Sequence, residues 1–115
     1  MLFVCYPRCS TCQKARKWLD ARGAVCEVRD IKTDNPSYNE LKDWFAASGL
    51  PLRKFFNTSG NVYKSLSLKD KLPSMSEDEQ LHLLAADGML VKRPILVGGG
   101  FALVGFDEAS WAERV

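Results

Sequence analysis

Leu2-Phe3-Val4-Cys5-Tyr6 is apolar throughout, and a strand built this way has no face to give to solvent. It belongs at the centre of a sheet covered on both sides. The run leads into Cys9-Ser10-Thr11-Cys12 and then into Lys14 to Arg22, a basic amphipathic segment with helical spacing. Cys12, Ala15 and Leu19 fall at i, i+3 and i+7 and define its inward face, with Trp18 beside it. Gly23 fits the position just past a helix end. Ala24 to Arg29 then alternates, with Ala24, Cys26 and Val28 on one side and Val25, Glu27 and Arg29 on the other. Residues 2–29 therefore predict a βαβ unit with a parallel strand pair. The two cysteines sit where strand gives way to helix, and there backbone N–H groups point outward without partners.

The chain then changes character. Ser37-Tyr38-Asn39-Glu40 reads as a capping box, followed by a helical stripe of Leu41, Trp44 and Phe45 that Gly49 and Pro51 stop. Leu52 to Phe56 predicts a short helical turn, Asn57-Thr58-Ser59-Gly60 a turn, and Val62 to Leu66 a further short helix. Ser76-Glu77-Asp78-Glu79 is a second capping box, with Leu81, Leu84 and Ala85 as the buried face and Gly88 as the stop. Strand signals return in Ile95-Leu96-Val97 and Phe101-Ala102-Leu103-Val104, which flank Gly98-Gly99-Gly100 as a hairpin. Asp107 caps a last helix in which Trp111 faces inward. A parallel βαβ followed by an antiparallel hairpin and a helix is the thioredoxin or glutaredoxin plan. The expected fold is thus α/β, a mixed four-stranded sheet in one domain over 1–115, with a helical insertion at about 37–88.

The chain of 115 residues can bury a core without disulfide staples, and its apolar and charged shares, 46% and 26%, are those of an ordinary folded protein. A net charge of +2 is too small to argue for nucleic acid or an anionic membrane. There is no basic stripe or recognition-helix motif for direct nucleic-acid binding, and no apolar run long enough to span a bilayer. No signal peptide is indicated, so four cysteines favour a reducing, cytoplasmic setting in which disulfides are transient.

Cys9, at the helix entrance, is expected to be the more exposed and more acidic thiol, and Cys12, further in, the shielded resolving thiol. Arg8, Lys14, Arg16, Lys17 and Arg22 against Asp20 leave four net positive charges over residues 8–22, which favours thiolate and anionic partners. Arg8 is accordingly read as a substrate-binding cation. Taken alone, the pair fits a redox dithiol, half of a zinc site or inert thiols. Zinc would need two further ligands, and Cys5, Cys26 and the lone His82 offer no second paired motif. No metal or cofactor is expected. Cys5 and Cys26 read as small buried hydrophobes, a third-thiol role for Cys5 staying open, and His82 reads as solvated. Lys92-Arg93-Pro94 precedes the third strand, where a thioredoxin-type domain sets a cis proline against the dithiol. Arg93 would then hold an anionic group near Cys9, so Arg93 and Pro94 join the substrate-binding set.

Tyr6-Pro7-Arg8-Cys9-Ser10-Thr11-Cys12-Gln13-Lys14-Ala15-Arg16 and Lys92-Arg93-Pro94-Ile95-Leu96-Val97 together resemble the arsenate reductase (ArsC)/Spx family. The resemblance covers nearly the whole chain. It implies that Cys9 matches the reductases' nucleophile and Arg93 one of their oxyanion-binding arginines. Their histidine four residues before the nucleophile is replaced by Cys5. A middle arginine is replaced in the 57–60 region, where Ser59 stands, and Phe101 to Phe106 carries no charge where a third arginine would be. Cys12 matches the Cys-x-x-Cys switch of the Spx-type regulators, which bind the RNA polymerase α subunit. The implied function is a thiol–disulfide oxidoreductase that draws electrons from glutathione or a thioredoxin- or glutaredoxin-type donor. A polymerase-binding redox regulator is the alternative, and true arsenate reduction the third reading.

Overall fold

A computed structural model describes residues 1–115. Four strands, β1 (Leu2–Cys5), β2 (Glu27–Asp30), β3 (Ile95–Gly98) and β4 (Phe101–Val104), form one mixed sheet in the order β2-β1-β3-β4. β1 pairs parallel with β2 and antiparallel with β3, and β3 pairs antiparallel with β4. Six α-helices accompany the sheet: α1 (Ser10–Ala21), α2 (Tyr38–Ser48), α3 (Asn61–Ser65), α4 (Leu68–Lys71), α5 (Glu77–Ala86) and α6 (Glu108–Ala112). This is the α/β thioredoxin-like arrangement that the order of strands and helices predicts.

The side-chain alternation of β1 divides the interior into two layers. Val4 joins Ile31, Leu41, Trp44, Phe55, Leu81 and Leu84 on the face covered by the residues between β2 and β3. Phe3 and Cys5 point the other way and pack with Cys12, Ala15, Leu19, Leu96 and Trp111, under α1 and α6. Both faces of β1 are closed, as its all-apolar sequence requires.

Both serine capping boxes form. The Ser37 hydroxyl accepts from the Glu40 N–H while Glu40 accepts from the Ser37 N–H, and Ser76 with Glu79 repeats the exchange. Gly49 ends α2 in the left-handed region at φ 68°. The Leu52 turn is a 3₁₀ turn over Leu52–Phe55. The hairpin closes through Gly99 and Gly100, of which Gly100 has the positive φ, 81°.

Three expectations shift. The second strand begins at Glu27 rather than Ala24, because Gly23 and Ala24 are used to finish α1. Their N–H groups donate back to the carbonyls of Asp20 and Leu19 in a Schellman arrangement, with Gly23 at φ 69°. β2 is an edge strand, and Val28 on it is exposed. Gly88 does not terminate α5 by its own conformation: the helix ends at Ala86, and Gly88 lies so close to Ile31 that a Cβ would fall 1.8 Å from the Ile31 carbonyl oxygen. Finally, α4 follows α3 after Ser67 takes a left-handed conformation at φ 54°, a break that the residue type does not announce.

Candidate active site

Cys9 occupies the N-cap position of α1, with extended backbone at φ −82° and ψ 123°. Its N–H donates to the Tyr6 carbonyl at 3.0 Å, and its own carbonyl accepts the first helical bond from Gln13 at the same distance. The Gln13 side chain reaches back to the Pro7 carbonyl at 3.0 Å and ties the approach loop to the helix. The first turn of α1 contains no acidic residue. The positive end of the helix therefore lies open at the Cys9 sulfur.

The two thiols are tuned in opposite directions. Partial burial raises the Cys9 pKa, but this is outweighed by the N–H groups of Cys12 and Thr11, the Cys12 thiol and the Arg93 guanidinium, so the net shift is downward. No side-chain hydrogen bond caps the helix at Cys9, so these groups act as stabilisers of thiolate charge. Cys12 is 2% exposed, and its pKa is pushed up to about 12, first by burial and then by its neighbours Cys9 and Cys5. A contact with the Tyr6 N–H, 3.4 Å from Cys12 Sγ, opposes this rise without overcoming it.

Arg93 comes from the segment leading into β3, and the Arg93–Pro94 bond is cis. Its guanidinium carbon stands 5.1 Å from the centre of the Tyr6 ring, which holds the cation beside the Cys9 loop. Its Nε and one terminal nitrogen are buried with no hydrogen-bond partner. Buried donors are ordinarily satisfied, so these two orphaned nitrogens give Arg93 unused donor capacity beside the Cys9 thiolate.

Cys9, Cys12 and Arg93 are thus drawn together, and Pro94 is buried at the entrance to β3. Arg8 is not brought in: it is exposed in the turn before Cys9 and makes no ion pair or side-chain hydrogen bond. Cys5 is buried, and burial raises its pKa against the lowering field of Arg16. Together with Cys12, Arg16 and Asp30 it lines a cleft of about 170 Å³ on the α1 side of the sheet. Ser59 is exposed, and so is His82, which stacks on Tyr38 at 4.3 Å and pairs with Asp78. No group of three or more His, Cys, Asp or Glu side chains is placed to hold a metal ion. The sequence reading missed Tyr6 and Gln13 as positioning residues. Gln13, four after the N-cap, could have been found as a side chain able to reach back over the first turn. Tyr6 carries no such signal, because its partner is 87 residues away.

The chain matches known proteins along nearly its whole length. The ArsC family model matches residues 5–114. YusI of Bacillus subtilis is 51% identical over 99% of this chain and 97% of its own length. The regulatory protein MgsR of the same organism is 28% identical over 93% of this chain and 83% of its own. An arsenate reductase of Neisseria meningitidis is 35% identical over 86% and 84%. A crystal structure of an ArsC-family-related protein from Bacteroides fragilis superposes with a TM-score of 0.96 at 55% identity, covering 97% of this chain and 94% of that one. With its family model spanning nearly every residue and its fold reproduced by a relative of this identity, the chain belongs to the ArsC family.

Proposed function

We propose that the protein is a thiol–disulfide oxidoreductase in which Cys9 is the nucleophile, Cys12 the resolving thiol and Arg93 the anion-binding group. The observation that carries this reading is the opposed tuning of the pair: Cys9 is favoured as thiolate while Cys12 is held as thiol. A sulfur that is charged and accessible attacks first, and one that is protonated and buried waits. The Cys9 thiolate attacks one sulfur of a substrate disulfide, whose S–S bond breaks and releases the other sulfur as thiolate. Cys12 then gives up its proton to a departing thiolate and attacks Cys9 Sγ. The Cys9–Cys12 disulfide forms, and the second substrate thiol leaves. Two glutathione molecules, or a thioredoxin- or glutaredoxin-type dithiol, return the electrons. Arg93 brings a cation with two unpaired donors to bear on a carboxylate or another anionic group beside the reacting sulfur. Arg8 is placed to act only on approach, as an exposed cation.

Reduced protein treated with oxidised glutathione tests this directly. The expected products are a Cys9–Cys12 disulfide in the wild type and a stable glutathione adduct on Cys9 in Cys12→Ser, both read by intact mass and peptide mapping. Iodoacetamide reacting at Cys9 no faster than at free cysteine at neutral pH overturns the reading.

The likeness to the regulatory protein MgsR supports a second reading as a redox regulator, for which the resemblance to Spx-type regulators implies docking to the RNA polymerase α subunit. Oxidation-sensitive capture of purified α subunit would favour it. For arsenate reduction the chain has Arg93 alone of the three arginines that the resemblance implies, with Ser59 and the uncharged Phe101 to Phe106 elsewhere. Thiol-dependent release of arsenite, lost in Cys9→Ser, is its test.

A further inference from the structure

The residues between β2 and β3 carry a cationic groove that the dithiol chemistry above does not use. Arg53, Lys54 and Lys92 line a cavity of about 340 Å³ with Thr58 and Tyr63. Thr58 and Tyr63 also border a second cavity of about 330 Å³, which adds Lys64 and Lys69. A third, of about 500 Å³, meets the others at Arg53, Tyr63 and Lys69 and has an apolar floor that includes Phe45, Leu72 and Met75. Five cations thus surround one tyrosine, with Asp70 and Glu77 the only acids on the border. None of the five is in an ion pair: those of the molecule join Arg29 to Asp34 and Glu40, and His82 to Asp78.

The groove is joined to the active site through the backbone. Phe56 pairs with Val91, the Lys92 N–H donates to the Phe55 carbonyl and the Asn57 N–H to the Leu90 carbonyl, each at 2.7 Å. The segment 55–57 on its border is therefore stitched to residues 90–92, just before Arg93. One peptide unit, about 3.8 Å between Cα atoms, separates Lys92 on the border of the groove from Arg93, the cation that acts on Cys9, so the positive border runs directly into the segment beside the dithiol.

We propose that this groove docks an acidic segment of the protein whose disulfide Cys9 attacks. The proposal rests on the oxidoreductase reading and names its substrate class: a protein disulfide flanked by Asp or Glu. A single small anion would call for donors converging on one buried point. Here the cations are exposed and spread around a trough with an apolar floor, which suits several carboxylates carried along a chain with apolar residues between them. Such an arrangement acts mainly on the rate of encounter and weakens with salt.

The test uses two peptides that carry the same activated pyridyl disulfide, one flanked by Asp and Glu, the other by Ser and Gly. Wild-type protein should capture the acidic peptide at least about tenfold faster at low ionic strength, with the advantage shrinking as salt rises. Arg53→Glu/Lys54→Glu/Lys92→Glu should lose that advantage while capturing the neutral peptide at the wild-type rate. Equal rates for the two peptides in wild type, or an advantage that survives the triple variant, overturns the proposal. So does stronger displacement of the acidic peptide by a single-stranded oligonucleotide than by poly-glutamate of equal charge. Anisotropy of the labelled acidic peptide on Cys9→Ser separates the two readings. Salt-sensitive binding there, with no capture by wild type, keeps the groove and sinks the thiol chemistry. Capture without acidic preference does the reverse.

Discussion

The three long helices of this molecule, α1, α2 and α5, start in two ways. At α2 and α5 a serine stands at the N-cap and a glutamate three residues on, and each pair consumes free N–H groups by reciprocal hydrogen bonds. At α6 Asp107 does similar work: its carboxyl is held below the usual carboxylate range chiefly by the Ser110 hydroxyl and then by the N–H groups of Ser110 and Ala109. At α1 the N-cap is Cys9, no capping bond is made, and the first turn has no acid. The same N–H groups that serve only as scaffold at α2 and α5 are left to the charge of a sulfur. The proposed reactive centre is a helix start that the sequence has left unfinished.

Replacing Cys9 by serine is the strongest way to break this contrast. Serine is among the best N-cap residues, so Cys9→Ser should finish the helix that cysteine leaves open. Disulfide exchange should fall by at least about three orders of magnitude, because an alcohol of ordinary pKa does not take the thiolate's place. Stability should hold or rise by about 0.5–1 kcal/mol, read as the urea midpoint at unchanged slope. A loss of more than about 1 kcal/mol would mean that the cysteine was already serving as a cap.

The second thiol gives a different handle. Cys12 is favoured as the neutral form in the folded chain, with its pKa pushed up to about 12, whereas in the unfolded chain it titrates near the ordinary thiol value of about 8.5. Its contribution to stability is therefore complete below the lower value and lost as pH rises toward the higher. Unfolding free energy should fall in that window with a slope approaching about 1.4 kcal/mol per pH unit from this group. In Cys12→Ala the slope should flatten by that amount. Cys5 and Cys26, also raised by burial, add smaller terms of the same sign. An unchanged alkaline slope in Cys12→Ala would remove the asymmetry between the two thiols.

Much of this was legible from local rules. An unbroken apolar run fixed β1 as a central strand, Ser-x-x-Glu located two helix starts, and a Cys-x-x-Cys between strand and helix located the proposed nucleophile. These signals act over four or five residues, within reach of one helical turn. What escaped depends on contacts far apart in sequence. Tyr6 holds Arg93, Gly88 is needed by the carbonyl of Ile31, and Arg53 and Lys92 come together through the pairing of Phe56 with Val91. Arg8 shows the limit from the other side: charge close in sequence to Cys9 is not charge close in space, and the cation beside the sulfur is the one 84 residues away.

Arg93 tests whether the open helix end is enough by itself. Arg93→Met removes a cation that favours the Cys9 thiolate, so the Cys9 pKa should rise and the pH profile of alkylation move upward. At neutral pH the reaction should be slower than in the wild type, though by less than loss of the helix N–H groups would cause, since Arg93 acts after them. Stability should be maintained, since the variant also removes two buried donors that lack partners. A profile that does not move would assign the lowered pKa to the helix alone.

The smallest effect sharpens the comparison from the scaffold side. Ser37→Ala and Ser76→Ala each remove the acceptor of a capping box and should cost about 1 kcal/mol, read as lower urea midpoints. Neither should alter the alkylation profile of Cys9, because α2 and α5 lie in the layer on the opposite side of the sheet from Cys5 and Cys12. If Ser37→Ala weakened α2 and also raised the Cys9 pKa, the two kinds of helix start would not be independent. The thiolate would then depend on the whole sheet being held rigid. Equal pH profiles alongside lower stability would instead show that the sulfur's environment is built by α1, Tyr6 and Arg93 alone.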